Sequence, residues 1–193
     1  MNINDVEEYY NELVEKYEKS APDFALNSDR VHNSTILRFM LDKSNIVNMY
    51  CGEMSVFRKS FYDKIFASKD CTNDKLREHL KNKLTESLKS FIKRDATELN
   101  IYIENFDQSD IKKELISKEI TNDKIKLYKI DKDLILSKDL SHISCTDSNI
   151  VRMETPQSHE AICSINTPDS IIKNWDKFFN TIELASHKVE LNN

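Results

Sequence analysis

Glycine is almost absent: of 193 residues, Gly52 alone is one. A GxGxxG fingerprint or a GxxxxGK[ST] phosphate loop needs several glycines so that backbone can approach phosphate closely, and both routes to nucleotide binding are excluded. Turns must rest instead on Asn, Asp and Ser, whose side chains hydrogen-bond nearby backbone. No CxxC pair exists among Cys51, Cys71, Cys145 and Cys163, so no structural metal site is expected and the thiols are expected to be free in a reducing compartment. A run of about 18 apolar residues is missing, which argues against a membrane span. The start MNINDVEEYY has neither a basic nor an apolar leader region, so a cytoplasmic location is expected. Positive charge does not dominate either. Against 33 Asp plus Glu stand 28 Lys plus Arg, a formal net charge of -5 that opposes nonspecific attraction to nucleic acid or anionic lipid.

The chain is 39% hydrophobic and long enough to bury one core. Its organisation is expected as an N-terminal helix and linker over 1–30, an α/β domain over 31–184 and a polar tail over 185–193. Val6, Tyr9, Tyr10, Leu13 and Tyr17 recur at helical spacing before Pro22. Residues 23–32 read as a polar loop, followed by a short helix with Asn33 or Ser34 as cap candidates. NIVNMYCGE then reads as a strand closed at Gly52, and MSVFRKSFYDKIF as a helix. Leu76, Leu80, Leu84 and Leu88 mark a long helix, and this stripe is read as core rather than as a zipper seam. Strand ELNIYIENF, a helix over 107–120 and strand KIKLYKI complete a repeated βαβ order, which predicts a mixed but mostly parallel sheet flanked by helices. HISCTDSNIVRME and HEAICSIN follow as β-like runs separated by TPQS, which fits a hairpin, with Asp147 to Asn149 a second place for the chain to turn. The last helix is predicted with Thr167 at its N-cap and Pro168 at its first position.

The order strand NIVNMYCGE, helix, strand, helix, strand, then SHIS opening a strand and AICSIN ending the next, resembles one lobe of the phospholipase D-like superfamily over roughly residues 31–184. The resemblance implies a His-x-Lys motif in which His attacks phosphorus while Lys and a distal Asn hold the nonbridging oxygens. His142 matches the nucleophile and Asn166 the distal Asn, beside Ser164. Ser144 stands where the lysine belongs, and Asp147 comes two residues earlier than the motif's Asp. Serine cannot supply the missing positive charge, and no spacing argues for Lys124, Lys126 or Arg152 in its place.

Glu53, after Gly52 at the carboxyl end of a strand, occupies the position where open α/β sheets put ligands. Glu53, His142, Asp147 and Asn166 are therefore expected to line one cleft, with Arg58 at its rim. His159 is a candidate neighbour for His142, but no HExxH spacing exists. On the long helix, Lys81, Lys89 and Lys93 belong to a basic stripe, the candidate nucleic-acid surface, although it lacks aromatics for base stacking. No cofactor is implied. The expected function is that of a phospholipase D-like domain with a degenerate site, a binding or assembly module of a bacterial cytosolic system with a protein partner. The alternative is a homodimeric, metal-independent phosphodiesterase or nuclease in which two copies of His142 meet.

Overall fold

The computed structural model describes residues 1–52, 55–68, 71–105, 123–131, 141–154 and 160–189. Within them, helix α1 (Ile3–Glu18) begins at a capping box: the Asn2 side chain accepts from the backbone of Asn4 and Asp5, and the Asp5 carboxylate accepts from Asn2 N. Its apolar stripe buries Val6 and Leu13. Strand β1 (Asp23–Asn27) and helix α2 (Arg30–Lys43) follow. Where the sequence predicts a loop over 23–32, β1 forms because it has a partner far along the chain, Ala161–Ile165. α2 starts earlier than Asn33 or Ser34 would place it, since the Asp29 side chain accepts from His32 N and caps it.

Strand β2 (Ile46–Cys51) leads through a 3-10 turn (Ser55–Phe57) to the short helix α3 (Lys59–Asp63), in place of the single helix expected there. Helix α4 (Asn73–Lys93) is capped by Thr72, and Leu76, Leu80, Leu84 and Leu88 are all buried. That stripe is core, as read. Strands β3 (Glu98–Ile103), β4 (Ile125–Ile130), β5 (Ile143–Thr146), β6 (Val151–Glu154) and β7 (Ala161–Ile165) precede helix α5 (Asp169–Leu184) and strand β8 (Ser186–Lys188). The helix expected over 107–120 lies outside the described residues. α5 starts one residue late: Pro168 is its N-cap, and the Thr167 hydroxyl donates to Ser164 Oγ. Ser186–Lys188, within the stretch read as a polar tail, pairs with β4.

The eight strands form one sheet in the order β1-β7-β6-β5-β2-β3-β4-β8. It is mixed, but the expectation of a mostly parallel sheet is corrected. Only β2 with β3 and β3 with β4 pair in parallel; the remaining neighbours are antiparallel. The reason is local. Asp147–Asn149 turn the chain between β5 and β6, with Asn149 at φ 58, and a turn that short can join only antiparallel strands. One sheet face packs Val47, Leu99, Ile101 and Leu127 under α1, α2 and α4. The other packs Tyr50, Tyr102, Ile143 and Cys145 under Ile172, Phe179 and Ile182 of α5. At the β1 edge the carbonyls of Phe24 and Leu26 accept from Lys16 Nζ (2.8 Å) and Tyr9 OH (2.9 Å) of α1.

Candidate functional site

Strand alternation puts His142 and Ser144 on the same side of β5, the side that carries α2 and α4. Register then fixes their neighbours. Ser144 lies opposite Met49 on β2 and opposite Arg152 on β6, and Met49 lies opposite Ile101. One row of side chains, Ile101, Met49, Ser144 and Arg152, thus crosses the sheet. These four floor a cavity of about 880 Å³. His142 and Glu154 stand side by side one pleat further on, joined by a hydrogen bond from Glu154 N to His142 O (2.9 Å). The start of α2 (Asp29, Arg30, Val31) and the segment from Ser55 to Phe66 provide the other walls.

His142 is held from both sides. Gly52 N–H donates to its Nε2 at 2.9 Å, which assigns the ring proton to Nδ1, and Nδ1 lies 3.9 Å from Glu154 Oε1. Gly52 is where it is for a spatial reason: a Cβ there would come 3.0 Å from Nε2. Glu154 is shared, because its other oxygen accepts from Arg152 Nη2 at 2.8 Å. Arg152 is only 8% exposed, and its Nε is buried without a hydrogen-bond partner. Tyr50 donates to Glu104, and burial together with that carboxylate pushes its phenol above the ordinary range. Desolvation, reinforced by Glu104, pushes the Cys51 thiol up to about 12, so it is no thiolate at neutral pH.

Of the residues predicted to share one cleft, Asp147 and Asn166 are not brought to His142. Asp147 closes the other end of β5, roughly 16 Å along the strand from His142. There its Oδ1 accepts from Asn45 N (2.9 Å) and Ile46 N (3.0 Å) and pins the entry of β2. Asn166 follows β7, which runs antiparallel to β6, so it too emerges at the end remote from His142. Its side-chain nitrogen donates to the carbonyls of Lys16, Tyr17 and Ala21, tying off the carboxyl end of α1. Asp147 and Asn166 line a separate hollow with Asn149 and Asp169. The strand end that rises beside His142 is that of β6. Glu53 and His159 lie outside the described residues, and Arg58 is the residue preceding α3.

Glu154 escapes the sequence reading, and Arg152 enters it only as a basic residue that no spacing favours, because their facing depends on the β5–β6 register, which the Asp147–Asn149 turn fixes. The one available signal is alternation in IVRME, with Arg152 and Glu154 in phase. Lys81, Lys89 and Lys93 follow one another on α4 at multiples of four, with Lys89 and Lys93 exposed and the Lys81 ammonium 5.5 Å from the Tyr62 ring centroid. None of the three lines the cavity. Among the described residues no group of three or more His, Cys, Asp or Glu could hold a metal ion, and no helix is long and apolar enough to cross a membrane.

No protein-family model matches the chain, and no curated protein does. Solved structures share its fold. Nuc, a phospholipase D family member from Salmonella typhimurium, matches with a TM-score of 0.53 and 11% identity over 88% of this chain and 99% of its own. TrmBL2, an archaeal chromatin protein with a novel mode of DNA binding, matches with a TM-score of 0.54 and 13% identity over 95% of this chain and 61% of its own. This chain therefore spans less than two thirds of TrmBL2. The phosphatidylserine synthase of Haemophilus influenzae, at a TM-score of 0.49 and 9% identity over 88% of this chain and 39% of its own, is too distant to carry an argument. Identities this low speak for architecture and not for chemistry. With the mixed eight-stranded sheet and its flanking helices, the match to Nuc shows that the chain has a phospholipase D-like α/β fold.

Proposed function

We propose that the chain is a phospholipase D-like domain that lacks phosphodiesterase chemistry and serves as a binding or assembly module in the cytosol of a bacterium. One observation carries this: the Nε2 lone pair with which His142 would attack phosphorus is already accepting the Gly52 amide at 2.9 Å. A nucleophile must offer that pair to the substrate. The lysine position adds to the case. Ser144 has no charge to place on a phosphoryl oxygen, and losing one such electrostatic contact costs on the order of 3 kcal/mol of transition-state stabilisation. Arg152, the basic residue opposite Ser144, is engaged by Glu154. Asp147 and Asn166 add nothing at His142, because both serve the far end of the sheet.

The test is hydrolysis of bis(p-nitrophenyl) phosphate and of single-stranded DNA by the purified protein, with and without EDTA. Turnover should not exceed background, and the His142→Ala variant should match the unaltered chain. Cleavage that persists in EDTA and disappears in His142→Ala would establish the opposite, a homodimeric phosphodiesterase or nuclease.

A further inference from the structure

We infer that the cavity beside His142 is a binding site for a small monocarboxylate with an apolar, ring-sized body, and that Arg152 is the residue that recognises its carboxylate. The inference rests on the non-catalytic reading above and names a ligand class for the same site.

Arg152 is the first support. A guanidinium carries five N–H donors, and a buried donor left unpaired is costly. Here the side chain is 91% buried, Nη2 is bonded to Glu154, and among the described residues Nε has no partner. Chains rarely hold a buried cation in this state without a use for it. A partner that would add to its bonded donors is a planar carboxylate, whose two oxygens match two parallel N–H groups of a guanidinium. Ser144, directly across the strand pair from Arg152, leaves open the space a lysine would occupy and adds a hydroxyl to the same floor.

Charge selects the ligand's valence. The described lining holds three carboxylates, Asp29, Glu104 and Glu154, against Arg30, Lys64 and Arg152. With no excess positive charge in the described lining, a doubly charged ligand is disfavoured more than a singly charged one placed at Arg152. A phosphate monoester, which carries nearly two charges at neutral pH, would bring the second one toward Glu154. That carboxylate lies within one hydrogen bond of the guanidinium. The remaining wall selects the body: Val31, Val56, Phe57, Phe61, Ile65 and Phe66 supply an apolar surface. A volume of about 880 Å³ falls in the range of about 300–1,000 Å³ common for small-molecule sites.

The experiment is a titration of the full chain with phenylacetate, read by the arginine Nε–Hε signals in a nitrogen-proton NMR spectrum, with phenyl phosphate and benzyl alcohol as matched probes. The Arg152 signal, identified by its absence in Arg152→Gln or, where that variant folds poorly, in Arg152→Lys, should shift saturably with phenylacetate and less at equal concentration with either comparison probe. In Arg152→Gln, phenylacetate should bind roughly tenfold more weakly or worse. Because the unaltered chain gives the primary readout, a poorly folded variant does not remove the test. No shift with phenylacetate, or a larger shift with phenyl phosphate, overturns the proposal. Turnover of bis(p-nitrophenyl) phosphate in the same sample overturns the non-catalytic reading instead, so the two failures are told apart.

Discussion

At Gly52 the chain spends its single glycine on a contact. Its φ is not in the left-handed region, so backbone freedom is not what the position needs. What it needs is room, since a Cβ would stand 3.0 Å from His142 Nε2 and 3.4 Å from Cε1. Gly52→Ala should therefore move the imidazole by a few tenths of an ångström and weaken the amide-to-Nε2 bond. We expect about 1 kcal/mol of lost stability, read from the urea midpoint, and a changed His142 ring resonance. An unaltered midpoint and resonance would mean that the contact is slack. In the sequence a lone glycine shows only that a glycine loop is absent. That it faces a histidine 90 residues later depends on β5 lying next to β2, which no local pattern encodes.

Elements with a strong private signal were legible, and those formed by distant pairing were not. The leucine stripe of α4 and the apolar face of α5 identify themselves, because one helix face repeats its own evidence every turn. β1 is only five residues long with Phe24 and Leu26 facing outward, so DFALN offers no inward apolar alternation to read. Asn166 shows the same limit for a residue with an assigned role. Its spacing after AICSI agrees with a ligand Asn, yet its side chain serves α1, about 150 residues earlier. At φ 52 it also occupies a conformation that asparagine tolerates better than most residues. Asn166→Ala should thus destabilise the fold by about 2 kcal/mol in denaturant unfolding, while Asn166→Gly, which relieves the backbone but still loses the hydrogen bonds, should cost less. Equal costs for the two would remove the backbone part of this account.

For the whole molecule, α1 is joined to α2 and α4 by charge as well as by packing. Glu7 accepts from Arg38 of α2 at 2.8 and 3.3 Å and meets His79 of α4 at 2.7 Å. Desolvation alone would raise the Glu7 carboxyl, but the hydrogen bonds and charges of Arg38 and His79 outweigh it and hold it below 4.5. A folded-state value below the unfolded one gives stability that is present above pH 4.5 and is lost as pH falls through the folded value. Asp29, beside His32, and Glu98, beside Lys126, are lowered likewise and act with the same sign. The urea midpoint should consequently drop between about pH 5.5 and about pH 3, and drop less in Glu7→Gln. An equal drop in both proteins would assign the acid sensitivity elsewhere.

The hydrogen bonds from Tyr9 and Lys16 to the β1 carbonyls bear on how copies of this protein can meet. A bare edge strand is a template on which another chain can extend the sheet, and repetition of that step builds filaments. With Phe24 and Leu26 already accepting from α1, a newcomer to that edge finds acceptors in use and a helix beside them. The opposite edge, β8, is three residues long. Backbone pairing at these edges is thereby discouraged, and a partner that met this protein would be chosen by side chains rather than by open-ended growth of the sheet.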